Sequence, residues 1–518
     1  MTVETSMLPV WACLASLLAV PALLIFRKEP FMREAITFLA GFVKLGFVLA
    51  IYFKFLKNGT HVEYTFVQKI GEGINIPIMF HVDELGMLFA FVASSLWILT
   101  SLYAIGYMRG LKEHSQTRFF VFFAISLSAT LGVAFAGNLL TLYLFYELLS
   151  LATWPLVTHH QDKEARGGGR TYLTYLVGTS VGFALPALIF VAVKTGGDLS
   201  FAGEAILANQ EMGYWPMLIL LLALCFGFSK AGMMPFHSWL PGAMVAPTPV
   251  SALLHAVAVV KVGVFCILRV VTGVFGIDFL KKAGGENPAL FQNPAEVLAW
   301  IAAFTVITSS LIALTQDNLK RRLAFSTIGQ LSYIILGAAL LSTLSIQGAT
   351  MHIAAHAVGK ITLFFCAGAI FVATGKKYIS QIAGLGKRMP FTMGAFFIGS
   401  LGVIGLPPTI GLISKFHLVM GAASSPHPSH VALIVAFLIS TILNAAYFFP
   451  IVYQAFFPSS DSTSEYAKDK FSWANIKEAP LACVLPLCLT ALISVFLFFK
   501  GGFIADLART FAETVTKG

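Results

Sequence analysis

Apolar runs of about twenty residues recur along almost the whole of this chain, and that repetition leaves few folds open to it. A helix that crosses a bilayer needs about 20 mostly apolar residues. Fourteen stretches qualify: 8–26, 33–56, 80–108, 118–136, 138–158, 170–194, 215–236, 248–274, 296–316, 321–343, 349–375, 391–420, 429–457 and 479–499. The segments between them are short, and even the largest, PSSDSTSEYAKDKFSWANIKEAP, is a loop and not a soluble domain. Only 11% of the 518 residues are charged, against about 25% in soluble proteins. Lipid is therefore the solvent, and the sequence predicts an all-α polytopic membrane protein with about 14 transmembrane helices.

The net charge of +10 does not point to nucleic acid, because the bases sit in short loops between apolar runs. Loops after odd-numbered spans hold nineteen Lys and Arg: residues 27, 28, 33, 109, 112, 118, 163, 166, 170, 320, 321, 322, 376, 377, 387, 388, 468, 470 and 477. Loops after even-numbered spans hold six: Lys54, Lys57, Lys69, Lys194, Lys281 and Lys282. This bias predicts odd loops in the cytoplasm of a cell (inner) membrane protein and both termini outside. Arg166 and Arg170 read as exposed loop charge. The six cysteines lie within apolar segments with no CxxC, so no iron–sulfur or zinc site is expected of them. The first run has no basic residues before it and no convincing cleavage site, and is expected to be a retained span.

The charges inside the spans carry the functional information. A lysine at the centre of a membrane helix costs about 2.5–3.5 kcal/mol, so four cost on the order of 10 kcal/mol unless they face a polar interior. Lys230, Lys261, Lys360 and Lys415 are those four; Lys44 and Arg269 are expected to snorkel. Among the acids only Glu147, in NLLTLYLFYELLSLATW, is deep in a span. One carboxylate cannot neutralise four ammonium groups. Desolvation and like-charged neighbours favour neutral amines, and a lysine that readily gives up its proton is a proton carrier.

Spacing gathers more groups. In MHIAAHAVGKITLFFC, His352, His356 and Lys360 recur every four residues along one helix face, and His255 shares a span with Lys261 in LLHAVAVVKVGVFC. The HxxxH pair could be half a metal site or simply packed histidines. No third and fourth ligand stands nearby, so neither a metal nor any other cofactor is expected. Pro235 and Pro241 follow Lys230, while Pro407 and Pro408 precede Lys415. Helix breaks are tolerated where backbone faces protein or water, and breaks at corresponding places in two halves point to an ion site. The expected division is 1–117 for the first three spans, 118–274 and 296–457 for two repeats, and 479–518 for the last span and a short tail.

KAGMMPFHSWLPGAMVAPTPVSALLHAVAVVKVGVF resembles the signature of the antiporter-like subunits shared by respiratory complex I, membrane-bound hydrogenases and Mrp-type multisubunit sodium/proton antiporters. FYELLSLATWPLV, QDNLKRRLAFSTIGQLSYI, HAVGKITLFFCAG and GLPPTIGLISKF support the likeness, which runs over some two-thirds of the chain. The resemblance implies two inverted five-helix repeats with broken helices 7 and 12. It implies a proton path in which Glu147 modulates Lys230, Lys261 connects through span 8, and charge passes through the span 8 and span 11 groups, here His255, His352, His356 and Lys360, to end at Lys415. Lysine at 415 and the absence of a long lateral helix look closest to the Mrp D-type subunit. The implied function is proton translocation within a multisubunit cation/proton antiporter, in contact with lipid, neighbouring antiporter-like subunits and small membrane subunits. Protons, with sodium left open, would be the ions carried. The alternatives are the pumping arm of a redox complex (NADH:quinone oxidoreductase or membrane-bound hydrogenase), a scaffold, or a subunit driving an inorganic-carbon enzyme; redox chemistry would in any case belong to partners.

Overall fold

The computed structural model describes residues 2–68, 76–282, 292–425, 429–459, 464–467 and 472–517. Lys69, Lys468 and Lys470, counted above, lie outside them. The described chain is mostly helical: α1 (Leu8–Ile25), α2 (Pro30–Asn58), α3 (Glu84–Gly110), α4 (Gln116–Ala134), α5 (Leu139–Val157), α6 (Lys163–Lys194), α7 (Tyr214–Gly227), α8 (Thr248–Phe275), α9 (Pro294–Thr315), α10 (Leu319–Ala339), α11 (Thr343–Thr374), α12 (Pro390–Ile404), α13 (Ile410–Ala423), α14 (His430–Phe456), α15 (Leu481–Lys500) and α16 (Gly502–Lys517). Eleven of these are long and apolar enough to cross a membrane, while α7, α12 and α13 are shorter apolar helices. Helix α10, which carries Lys320, Arg321 and Arg322 in its first turn, is not among the eleven.

Two helices stand at the centre. The apolar stretch of α8 is entirely buried, and α11 packs against α8, α10, α12, α13 and α15. The periphery is apolar as well: Ile25, Phe31, Val193 and Leu481 are largely exposed, as expected of side chains that meet acyl tails.

The breaks fall where proline and glycine put them. Helix α7 stops at Gly227, and a single 3₁₀ turn, Ser229–Ala231, follows. Gly232, at φ +67°, turns the chain away, and Pro235 and Pro241 have no N–H with which to resume the ladder. The Ser229 carbonyl accepts the Gly232 N–H at 2.9 Å and the Trp239 indole N–H at 3.1 Å. Between α12 and α13, Gly405 at φ +91° and the pair Pro407–Pro408 separate the helices.

One feature departs from the all-α expectation. A three-stranded sheet is formed by β1 (Thr2–Thr5), β2 (Thr60–Val67) and β3 (Ile78–Val82), parallel between β1 and β2 and antiparallel between β2 and β3, with Val62 opposite Val82 and Tyr64 opposite Phe80. Its strands are rich in Thr, Val and aromatic residues, which suit a pleated surface. The short tail after the last span forms the amphipathic helix α16, which buries Ile504, Leu507, Ala508, Phe511 and Ala512 and packs on α11 and α3. That i, i+3, i+4, i+7, i+8 spacing makes one apolar stripe.

The basic loops interlock at one end of the bundle. Arg33 donates to Gln116 Oε1 at 2.8 Å, Arg109 holds Glu34 at 2.8 and 2.6 Å, Arg118 donates to the His159 carbonyl at 2.7 Å, and Lys477 N donates to the Arg388 carbonyl at 2.9 Å. Arg166 and Arg170 are exposed, within α6 and not in a loop. The sheet ties the N-terminal segment to the connection between α2 and α3.

Candidate functional site

All four lysines singled out from the sequence are buried, Lys230, Lys261 and Lys360 completely. Each ammonium rests on main-chain carbonyls. Lys230, in the break after α7, donates to the Tyr146 carbonyl and to Ser150 Oγ, both at 2.7 Å, with its Nζ 3.1 Å from the centre of the Tyr146 ring. The Tyr146 hydroxyl in turn accepts the Lys230 backbone N–H at 3.2 Å. Lys415, in α13, folds back to the carbonyls exposed where α12 ends, Val403 at 2.9 Å and Ile404 at 3.1 Å, with Tyr333 beneath it at 4.3 Å. Among the described residues no carboxylate lies within 4 Å of any of the four amines.

The middle of the site is a line of nitrogen bases. Helix α8 opens with an α-helical turn, Thr248–Ala252, passes into a π-helical one, Leu253–Val257, and is kinked at Ala258 before Lys261. Lys261 Nζ lies 3.3 Å from the His255 carbonyl and 2.5 Å from His356 Nδ1. His356 and His352, one turn apart on α11, stack with ring centres 6.0 Å apart and planes within 10°. His352 Nδ1 is 2.9 Å from Ser414 Oγ and its Nε2 is 3.1 Å from Gln330 Oε1. Ser414 precedes Lys415, so hydrogen bonds and one ring stack run from Lys261 to the doorstep of Lys415. A serine hydroxyl both donates and accepts, and an amide does so by flipping, so His352 can hold its proton on either nitrogen.

Other candidates stand aside from this line. Lys360 donates to the Leu323 carbonyl at 3.2 Å over Phe448. His255 is fully buried with neither ring nitrogen hydrogen-bonded, against Phe364 at 4.6 Å. Glu147 is only half-buried; it follows Tyr146 on α5, whose neighbouring Leu144, Leu148 and Leu151 are exposed, and its Oε1 has no hydrogen-bond partner. It does not pair with Lys230, whose bonds go to Tyr146 and Ser150.

Two sequence expectations are corrected. Lys44 does not snorkel: it is completely buried, donates to Ser16 Oγ at 2.6 Å and lies 5.0 Å from the Trp97 ring, because α1 and α3 enclose it. Arg269 does not snorkel either. It forms a buried two-pronged pair with Asp83 at 2.5 and 2.6 Å, for Asp83 caps α3 where α8 ends. Tyr146, Ser150, Gln330 and Ser414 were not singled out from the sequence; hydroxyl and amide side chains are ordinary in spans, and only their partners mark them.

Glycine decides how closely these parts meet. A Cβ on Gly263 of α8 would lie 2.0 Å from Ala231 N and 2.3 Å from Lys230 C, so α8 touches the break through bare backbone. A Cβ on Gly405 would strike Lys415 Cδ at 2.7 Å, in a conformation that already favours glycine.

Residues 136–444 match the family model described as NADH:quinone oxidoreductase/Mrp antiporter, TM, and residues 68–120 match that for the complex I chain 5 N-terminus. The chain is 34% identical over 361 residues to NADH-quinone oxidoreductase subunit N of Desulforudis audaxviator, covering 68% of each. It is 31% identical over 490 residues to an Na(+)/H(+) antiporter subunit of Alkalihalophilus pseudofirmus, covering 88% of this chain but 57% of the relative. In fold it is similar to a chain of the archaeal membrane-bound sulfane sulfur reductase (TM-score 0.81, 21% identity, 99% and 98% covered) and to one of the Mrp complex of a Dietzia species (TM-score 0.80, 18% identity, 98% and 97% covered). The match spans more than half of the sequence, and the chain belongs to the NADH:quinone oxidoreductase/Mrp antiporter family of membrane subunits.

Proposed function

We propose that this chain is the proton-translocating subunit of a multisubunit, Mrp-type cation/proton antiporter. The observation that carries the reading is the buried line Lys261–His356–His352–Ser414 reaching Lys415, with ammonium groups on carbonyls and not on carboxylates. Protons pass between Lys261 and His356 and between His352 and Ser414, beside Lys415, along hydrogen bonds, and between the two stacked imidazoles, which share no hydrogen bond, by way of water; Lys360 and His255 flank the line. Glu147 biases Lys230 through space, without an ion pair. The chain crosses a cell (inner) membrane fourteen times, as two inverted five-helix units over 118–274 and 296–457. Its interlocked basic loops face the cytoplasm and the termini lie outside. Exposed apolar helix faces meet lipid, antiporter-like neighbours and small membrane subunits; sodium is the candidate counter-ion.

The 34% identity to an NADH-quinone oxidoreductase subunit favours a second reading, a pumping arm driven by redox partners. Electron-donor-dependent pumping by the purified complex, set against donor-free cation/proton exchange, separates the two. For either, Lys230→Met or Lys415→Met is expected to abolish proton movement while the complex still assembles. Undiminished transport by both variants rejects the path.

A further inference from the structure

Away from the lysine line, where the basic loops interlock, four side chains from two loops face one another. The α3–α4 loop supplies Glu113 and His114, and the α5–α6 loop supplies His159 and His160. Glu113 Oε2 lies 3.8 Å from His114 Nδ1, 3.9 Å from His159 Nε2 and 3.7 Å from His160 Nδ1. These separations exceed hydrogen-bond length, so three imidazoles gather around one carboxylate oxygen without bonding to it. His159 is completely buried and neither of its ring nitrogens has a hydrogen-bond partner. Buried polar atoms are almost always satisfied, and an orphaned imidazole aimed into a cluster of ligating groups calls for an occupant.

We infer that Glu113, His114, His159 and His160 bind a divalent transition-metal ion of the zinc type. Zinc–nitrogen and zinc–oxygen bonds of about 2.0–2.1 Å in tetrahedral array place ligand atoms about 3.3 Å apart. The ligand atoms of Glu113, His114 and His159 lie within 4.8 Å of one another, so they close on an ion by drawing together by up to about 1.5 Å, and His160 Nδ1, 3.7 Å from the same Glu113 oxygen, turns in as the fourth. An imidazole-rich set selects zinc, cobalt or copper over magnesium and calcium, which prefer oxygen. The outer contacts fit too. His114 Nε2 is 3.1 Å from the His159 carbonyl; a carbonyl only accepts, so the proton sits on Nε2 and the Nδ1 lone pair points at the cluster. A backbone partner of this kind is what fixes the tautomer of a metal-bound histidine. Arg118 donates to the same carbonyl at 2.7 Å. The side chains of His114 and His160 are 51% and 32% exposed, so an ion can reach the site from water. Once bound, the ion fastens the α3–α4 loop to the segment that starts α6, where Asp162 caps the helix through Ala165 N at 2.7 Å. Glu113 and His160 also line a cavity of about 460 Å³ shared with Lys320 and Lys376, so binding stiffens one wall of that opening.

The test uses the intact assembly, purified through a tag on this chain, stripped with chelator and titrated with Co²⁺, whose tetrahedral complexes have strong visible bands. One equivalent is expected to bind with a tetrahedral spectrum, to be displaced by Zn²⁺ and not by Mg²⁺. His114→Ala and His160→Ala should each weaken it on the order of 100-fold, while His237→Ala leaves it unchanged. Because both rings are partly exposed, the variants should elute as the parent assembly does. A spectrum identical in parent and both variants, or no tetrahedral cobalt spectrum at all, overturns the assignment. Since the readout is a metal spectrum and not transport, its failure would leave the proton path untouched.

Discussion

Gly263 offers a way to displace Lys230 without altering any group that titrates. Its α-carbon sits against the backbone of the break, and the Cβ of Gly263→Ala would lie 2.0 Å from Ala231 N. Carbon contacts become favourable at about 3.5 Å, so α8 and the break must part by roughly 1–1.5 Å. Lys230 Nζ now makes two bonds of 2.7 Å; stretched by that amount they pass the useful limit of about 3.2 Å. Overpacking costs about 1–3 kcal/mol, less than the roughly 5–15 kcal/mol that typically holds a folded protein together, so the variant should still assemble. A misplacement of about 1 Å in a group that must meet its partners can cost on the order of 100-fold in rate.

The expected result is therefore normal recovery of the complex and a proton-transport rate in proteoliposomes lower by on the order of 100-fold. Gly178→Ala on α6 is the control, because a Cβ there meets nothing within 4 Å. Wild-type transport by Gly263→Ala would refute either the close contact at the break or the need for Lys230 to be held where it is.

Two further outcomes follow from other contacts. Ser414→Ala removes the Nδ1 partner of His352 and, at about 1.4 kcal/mol for a lost hydrogen bond, should slow proton transport about tenfold, whereas Ser414→Thr should preserve it; equal rates in the two would remove Ser414 from the path. Burial pushes the Asp83 carboxyl up, but the Arg269 guanidinium outweighs it and holds the group at about 2, below the ordinary carboxylate value near about 3.9. A folded-state value that is depressed supplies stability above the unfolded value and loses it as pH falls toward about 2. Thermal melting should therefore drop between about pH 5 and pH 3 by more in the parent than in Asp83→Asn. At neutral pH Asp83→Ala should cost about 3–5 kcal/mol for the orphaned guanidinium and about 1 kcal/mol more for the lost cap; an unchanged melting temperature would refute the pair.

Eleven spans were legible because lipid demands long apolar runs, and the two breaks because Pro235, Pro241, Pro407 and Pro408 cannot keep a ladder of backbone bonds. Which spans lie inside was not. Helices α8 and α14 are equally apolar, yet 100% of one and 33% of the other is buried in the protein, since lipid and protein interior ask the same of a side chain. The sheet escaped notice because four- to eight-residue strands make no signal beside runs of twenty. Lys230, Lys261, Lys360 and Lys415 stood out because a buried ammonium is expensive. Ser150, Gln330 and Ser414 cost a span little and gave no sign. Lys44 and Arg269 were misread because position along a run says nothing of what packs across it, here Trp97 and Asp83. His114 and His159 are separated by 45 positions, and each alone is an ordinary loop histidine.

The partners of the buried lysines bear on how such a line could work. An ammonium about 4 Å from a carboxylate gains about 4 kcal/mol at an effective dielectric constant of about 20, and losing the proton forfeits all of it, so an ion pair fixes the proton in place. Carbonyls act differently. Tyr146 beneath Lys230, His255 beneath Lys261, Leu323 beneath Lys360, and Val403 with Ile404 beneath Lys415 present dipoles that favour the cation without a full counter-charge. A neutral amine still has N–H bonds to give them, so the same contacts serve both protonation states. At Lys415 the carbonyls come from a helix end, where the aligned peptide dipoles amount to about half a negative charge, and the break that exposes them is built by Gly405 and the two prolines. Replacing carboxylates by helix ends and main-chain oxygens thus lets a lysine be buried without trapping its proton. In the proposed path, the shortage of acids and the interruption of the helix are one device at Lys415, whereas Tyr146 and Leu323 offer their carbonyls from within α5 and α10.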